Sequence, residues 1–144
     1  MTKQNKNFTM APNALFTLYT RLPNFKADHA MMYTVLTHFY NDDYGYAFPS
    51  QYELCLRLNC GINKPTQLAK VLKEYGLIRY ERLRAGGNYV YYLEEPIDTE
   101  EAFYEKFSQA KQYYEERVEA LGIRKEAKEI DKQNMLDGTY SRKS

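Results

Sequence analysis

The sequence predicts a mainly α-helical domain with a small β-hairpin, which places it in the α+β class. Two short amphipathic helices, one opening at Ser50 and the other running from Pro65 to Tyr75, are separated by a tight turn. Two strands follow, at 77–84 and 89–93, joined by a glycine-rich turn. Helices and hairpin in this order are the layout of a winged helix-turn-helix. Apolar residues then recur every three or four positions over 103–121, which predicts a long C-terminal helix.

Length and composition limit the alternatives. The chain has 144 residues, enough for one domain with an appended helix, and 44% of them are hydrophobic. The charged fraction is 27% and no long apolar run occurs, so we expect no membrane span. Residues 1–7 are polar and predict a disordered arm rather than a signal peptide. We therefore expect a cytoplasmic protein.

The domain that carries the helix pair is expected to span residues 8–97. A short strand or helix over 8–23 is expected to seal its core, bracketed by Pro12 and Pro23. A longer helix from about residue 24–28 to Tyr40 has apolar residues at helical spacing. The segment 41–45, with its Asn, Asp and Gly residues, predicts a turn.

Local signals mark the ends of the helix pair. Ser50 and Glu53 form a capping box at the start of the first helix. Gly61 is expected to supply positive φ in the turn. Pro65 suits the first turn of the second helix, and Gly76 ends that helix as a C-terminal glycine does.

Charge is distributed unevenly along the chain, although its net value is only +1. Residues 57–93 contain seven basic and two acidic residues, a net of +5. Residues 98–144 contain nine basic and eleven acidic residues, a net of −2. One basic segment beside a charge-balanced one is typical of a DNA-binding domain with a separate interaction helix.

The outward face of the second helix is the first predicted DNA contact. Its buried stripe runs from Leu68 to Tyr75, which leaves donors, acceptors and cations outside. An exposed helix face is often merely solvated, but the helix pair and the arginine-rich hairpin together favour DNA. Gln67 suits adenine, and Lys70 suits guanine. The predicted contacts are Asn63, Lys64, Thr66, Gln67, Lys70 and Lys73.

Two further contacts are predicted. Arg82, Arg84 and Asn88 lie toward the hairpin tip, where they would meet phosphates or the minor groove. Their simpler role is to protect an exposed strand from aggregation. Ser50, Gln51 and Tyr52 could hold a phosphate at the start of the first helix, although capping is the simpler role for Ser50.

The C-terminal region is predicted to be a helix over 98–122, capped by Asp98 and stopped by Gly122, then a charged, flexible tail over 123–144. The apolar stripe of the helix has near-heptad spacing, so it could fold back on its own domain or pair with a second copy. We predict a homodimer, and segment 98–144 could also bind a protein partner. The predicted dimerisation residues are Phe103, Phe107, Tyr114, Val118 and Leu121.

No catalytic or metal-binding motif is apparent. The sequence has no phosphate-binding loop, nucleophile elbow, zinc-protease motif or dinucleotide fingerprint. Cys55, Cys60, His29 and His38 do not have the spacing of a zinc site. We therefore predict a binding protein rather than an enzyme, with no cofactor and no metal.

Residues 8–93 resemble the winged-helix domains of replication initiators and regulators found on plasmids, phages and integrative elements of low-GC bacteria. The resemblance is carried by Phe8 and Pro12, Phe48-Pro49-Ser50, Gly76-Leu77-Ile78 and the return strand Asn88–Leu93. It implies binding of double-stranded DNA through the second helix and the hairpin. Lys64-Pro65 replaces the Ser or Arg more usual before the position of Thr66, which implies a different insertion angle of that helix.

Three functions follow as hypotheses. The first is a dimeric protein that binds specific double-stranded DNA as a transcriptional regulator of a mobile element. The second is a replication-initiation or partition factor that binds origin-like repeats. The third is a winged helix used for protein contact, as an adaptor or inhibitor, whose DNA affinity stays at the non-specific level.

Overall fold

The computed structural model describes residues 7–138, except the side chains of 123–128, so most of the predicted N-terminal arm (1–6) lies outside the described residues. The fold is mixed α+β, which confirms the predicted class at that level. The helices are α1 (Ala14–Thr17), a 3₁₀ turn (Tyr19–Arg21), α2 (Ala27–Phe39), α3 (Gln51–Leu58), α4 (Lys64–Glu74), α5 (Glu100–Lys106), α6 (Ala110–Ala120) and α7 (Gly122–Leu136). The strands are β1 (Tyr40–Asn41), β2 (Tyr46–Ala47), β3 (Ile78–Arg82) and β4 (Tyr89–Leu93).

The strands form one antiparallel sheet in the order β1-β2-β4-β3. β3 and β4 pair over five positions, from Ile78 opposite Leu93 to Arg82 opposite Tyr89. β2 joins β4 through the single pair Ala47 and Tyr91. The sequence predicted a turn over 41–45 but not β1 and β2, because two residues are too few to show the alternation of a strand.

The core is built around α2, which packs against α3, α4 and the sheet. The hydroxyl groups of two core tyrosines are hydrogen-bonded to the backbone. Tyr33 Oη donates to the carbonyl of Glu94 at 2.9 Å, and Tyr19 Oη accepts from the Ile97 N–H at 3.1 Å. Burial raises the pKa of Tyr91 to about 12. The largest fully buried side chains are Tyr19, Tyr33, Tyr91, Phe103, Leu15, Met32, Leu36, Leu54, Leu68, Leu72, Leu77 and Ile78.

The helix pair confirms most of its predicted end signals. Ser50 Oγ accepts from the Glu53 N–H at 3.0 Å, and the Ser50 N–H donates to Glu53 Oε1 at 3.4 Å. The prediction for Gly61 is wrong, because Asn59 is the residue of this turn with positive φ (51°). Asn59 directly follows α3, and the next N–H, of Cys60, returns to the Cys55 carbonyl at 3.1 Å. This is the left-handed helix end that asparagine tolerates without being glycine.

The single helix predicted over 98–122 is also wrong. The chain leaves the helical conformation at Phe107, so α5 and α6 are separate helices. Thr99 rather than Asp98 caps α5, accepting from the Ala102 N–H at 3.3 Å. Phe103 and Ala110, on either side of the break, are both buried in the core of the same domain.

Helix α7 occupies much of the segment predicted as a flexible tail. Gly122, predicted to stop a helix, is instead the first residue of α7. Lys, Glu, Ala, Gln and Leu dominate this stretch, and their high helix propensity accounts for a helix with little apolar content. Residues 129–138 are exposed, and residues 139–144 of the predicted tail lie outside the described part of the chain.

Candidate nucleic-acid interface

Helix α4 presents one apolar and one polar face. Its buried residues include Leu68 and Leu72, which pack toward α2 and the sheet. Asn63, Gln67, Lys70 and Lys73 are exposed, whereas Lys64 and Thr66 are half-buried. The structure therefore brings most of the predicted contacts to one solvent-facing side of α4.

Lys64 differs from the others because it already has a carboxylate partner. Its Nζ lies 3.0 Å from Oδ2 of Asp28, a residue in the first turn of α2. Burial opposes ionisation of Asp28, but the hydrogen bond from Lys64, followed by the charge interactions with His29 and with Lys64, lowers the pKa of this carboxyl. Lys64 thus ties the beginning of α4 to α2 and is less free than Lys70 to contact another molecule.

His29 lies beside this contact between α2 and α4, and its side chain is neutral. Its Nδ1 accepts a hydrogen bond from the Lys26 N–H at 2.9 Å, which closes the N-terminus of α2. Asp28 Oδ1 lies 3.2 Å from the same nitrogen, but an accepting nitrogen carries no proton for a second bond. Burial lowers the pKa of His29 despite the opposing charge of Asp28, so the contact is not an ion pair near neutral pH.

We expect stability to fall as the solution is acidified through the titration of His29. The unfolded histidine has an ordinary pKa of 6.5 and the folded one a lower pKa, so the unfolded state takes up the proton first. The stabilisation is complete above the unfolded pKa and is lost as the pH falls through the folded pKa. Urea midpoints at about pH 7.5 and 5.5 would measure the loss over the range where histidine titrates. His29→Gln keeps an acceptor but does not titrate, and an equally large loss in this variant would contradict the assignment.

The β3–β4 hairpin carries three arginines in two different states. Arg79 is paired with Glu94 at 2.7 Å and lies over the Tyr92 ring. Arg82 lies 4.8 Å from the centroid of the Tyr89 ring, and neither Arg82 nor Arg84 has a carboxylate partner among the described side chains. The unneutralised charge of the hairpin is therefore at its tip, where Asn88 is also exposed.

One contact joins α4 to this hairpin. Lys73 Nζ lies 5.1 Å from the centroid of the Tyr80 ring of β3, a distance at which a cation is attracted to an aromatic face. Lys73 therefore joins the exposed face of α4 to β3, the strand that leads to Arg82 and Arg84.

The start of α3 is less open than the sequence suggests. Ser50 is occupied as a cap, and Gln51 Nε2 donates to Tyr91 Oη at 3.2 Å, which turns this side chain toward the sheet. Tyr52 is 70% exposed. A phosphate contact at Gln51 is therefore limited to its backbone N–H.

The predicted dimerisation stripe is divided between core and surface. Phe103 is fully buried and Phe107 is half-buried, with its ring centroid 5.7 Å from that of Tyr75. For these two residues the fold-back alternative is correct, because they pack within their own domain. Tyr114, Val118 and Leu121 are exposed, so dimerisation through them stays a prediction.

Sequence reasoning missed two features of this region. The first is Asp28, whose partner Lys64 is distant in the sequence. The second is the aromatic outer face of the sheet, which depends on the two-residue strands. The run of aromatic residues over 44–48 could have indicated it.

Among residues 7–122 and 129–138, no group of three or more His, Cys, Asp and Glu side chains is placed to hold a metal ion. None of the described helices is long and apolar enough to cross a membrane.

No protein-family profile and no curated protein matches the chain. Solved structures do resemble it. One described as the N-terminal domain of a DNA binding protein has a TM-score of 0.51 and 25% identity, covering 74% of this chain and 87% of that chain. One described as a Rep–DNA complex has a TM-score of 0.50 and 26% identity, covering 74% of this chain and 88% of that chain. The chain is thus similar in fold to a domain of a DNA-binding protein and to a Rep protein in complex with DNA.

Proposed function

We propose that this chain binds double-stranded DNA as a winged helix-turn-helix, with α4 as the recognition helix and the β3–β4 hairpin as the wing. The observation that carries the proposal is the contact of Lys73 with Tyr80, which joins the exposed lysines of α4 to the hairpin strand that leads to the exposed Arg82 and Arg84. Similarity in fold to a Rep–DNA complex supports it.

The dimensions of α4 suit the major groove. Its eleven residues rise about 16 Å and would lie along a groove about 12 Å wide. Gln67 and Lys70 are three residues apart and share a helix face, so both side chains reach the same side. An amide that pairs with adenine and a cation that pairs with guanine would then read neighbouring bases.

The role we propose is replication initiation, in which the domain binds origin-like repeats. The similarity to a structure described as a Rep–DNA complex favours this hypothesis over transcriptional regulation, which the sequence had placed first. The proposed activity is binding rather than catalysis. A homodimer would place two domains on half-sites about 34 Å apart, and its contacts would be limited to the exposed Tyr114, Val118 and Leu121.

The experiment that tests this function is fluorescence anisotropy of the full chain with a pool of duplex fragments from its source genome at near-physiological salt. We expect dissociation constants below about 10⁻⁷ M for a few fragments. Several spaced repeats within the bound fragments would identify an initiator, whereas one or two sites beside a promoter would identify a regulator. Weak binding to all fragments alike would contradict specific DNA recognition and favour the protein-interaction hypothesis.

The two unpaired arginines of the hairpin are expected to contribute phosphate contacts. Arg82→Ala and Arg84→Ala should each weaken duplex binding and reduce the slope of log K against log salt concentration by about 1, because each releases one counterion fewer. Titrations at several salt concentrations measure both effects.

Arg79→Ala is the matched control on the same hairpin, because Glu94 already neutralises that guanidinium. We expect its salt slope to equal that of the unmodified chain. Equal reductions in all three variants would show that the hairpin acts only through its total charge.

A further inference from the structure

The outer face of the sheet carries a cluster of contacting rings, here called the aromatic platform: Tyr44, Tyr46, Phe48 and Tyr92. Tyr46 is central, with ring centroids 5.8 Å from Tyr44, 5.9 Å from Phe48 and 5.8 Å from Tyr92. Since Ala47 and Tyr91 are buried on the inner face, their neighbours Tyr46 and Tyr92 point to the opposite face. Tyr44 is 59% exposed and Phe48 is 50% exposed.

Three rings of the platform, those of Tyr44, Tyr46 and Phe48, form one wall of a hollow of about 350 Å³. Val90, only 1% exposed, contributes to the floor. The hairpin supplies the opposite wall through Leu83, Arg84 and Asn88. An exposed aromatic wall facing a cation and an amide offers stacking and hydrogen bonding together, which is the combination that a nucleobase with its phosphate requires.

The charged residues around the hollow determine which side of it attracts phosphate. Arg84 has no carboxylate partner within the part of the chain whose side chains are described, so the hairpin side attracts phosphate. Asp42 and Asp43 are exposed beside Tyr44 and repel phosphate. Farther along the sheet, Glu81 accepts from Tyr92 Oη at 3.1 Å, and Arg79 is paired with Glu94. A phosphate chain would therefore follow the hairpin, with its bases turned toward the rings.

We propose that the aromatic platform binds unpaired bases of single-stranded DNA, with Tyr44 and Phe48 stacking on bases and Arg84 contacting a phosphate. In duplex DNA the base faces are stacked on one another, so these rings select an opened strand. The hairpin would border both this site and the proposed duplex site. The inference goes beyond the proposed function, because stacking does not depend on sequence-specific reading by α4. Replication requires the two strands to separate, which gives such a site a use.

Phe48→Trp provides the test, because the chain contains no tryptophan and the new indole would be the sole reporter of its kind. A thymidine oligonucleotide of about 12 nucleotides, within the usual site size, should quench its fluorescence when a base stacks on it. A duplex of the same length should quench it much less. Phe16→Trp is the matched control, because Phe16 is an exposed aromatic residue on α1, outside the platform.

Anisotropy with the labelled oligonucleotide gives a second measurement that needs no tryptophan. Tyr44→Ala should lower the affinity roughly tenfold, which is within the range for loss of one stacking ring. Its exposed ring lies in the β1–β2 turn, so the variant should remain folded. Gln67→Ala/Lys70→Ala should leave single-strand binding unchanged, which separates this site from the proposed duplex site.

Two results would overturn the proposal. One is an unchanged affinity for the oligonucleotide in Tyr44→Ala together with no quenching in Phe48→Trp. The other is a change in indole fluorescence that depends on protein concentration in the absence of DNA, because this would assign the platform to a second copy of the chain.

Discussion

Replacing Phe103 with alanine is expected to lower the free energy of unfolding by about 3–5 kcal/mol, the cost of removing a fully buried phenylalanine. The ring is 0% exposed, and its centroid lies 5.1 Å from that of Tyr19 and 5.0 Å from that of Phe107. Those two rings are held by the core and would close only part of the cavity. Urea denaturation followed by circular dichroism measures the change.

Val118→Ala is the control, because it removes an apolar group from the same predicted stripe at a position 41% exposed. In a monomer it should change stability by no more than about 0.5 kcal/mol. Sedimentation velocity of both variants shows whether these residues pack within their own domain or join two copies of the chain. A Phe103→Ala chain that keeps its stability but changes its oligomeric state would contradict the packing of α5 against its own domain.

The double replacement Gln67→Ala/Lys70→Ala is expected to weaken binding to the preferred duplex by at least about 30-fold. Each base-edge contact is worth roughly 1–3 kcal/mol, and 1.4 kcal/mol corresponds to tenfold in affinity. Both side chains are exposed and neither supports the core, so the fold should be unaffected. Anisotropy with the preferred fragment and with a scrambled one measures the loss of affinity and of discrimination.

Lys111→Ala/Gln112→Ala is a matched control, since it removes the same two residue types from the exposed surface of α6. It changes the net charge equally but lies outside the proposed interface. We expect a much smaller loss. Equal losses in the two double variants would show that binding depends on net charge alone, and α4 would then not be a recognition helix.

The sequence could predict the features that depend on residues close together in the chain. The capping box of Ser50 and Glu53 acts over three residues, and Gly76 has the positive φ of 78° expected at a helix end. The turn between α3 and α4 was placed correctly, but its left-handed residue was not. Either Asn59 or Gly61 could adopt that conformation, and the position directly after the helix decided it.

Features set by distant contacts could not be predicted. β1 and β2 have two residues each, and β2 is held by one pair with β4. The spacing of Phe103 and Phe107 indicates an apolar stripe but does not say what covers it. Likewise the sequence shows the charge of Lys64 but not its ion pair with Asp28, which makes this lysine differ from Lys70.

The single pair between Ala47 and Tyr91 has a consequence for local dynamics. β1 and β2 depend on it for their attachment to β4, whereas β3 and β4 share five pairs. Amide protons of β1 and β2 should therefore exchange with deuterium through a local opening, well before those of β3 and β4. Because Tyr46 lies on β2, a strand of DNA stacked on its ring cluster should slow that exchange selectively.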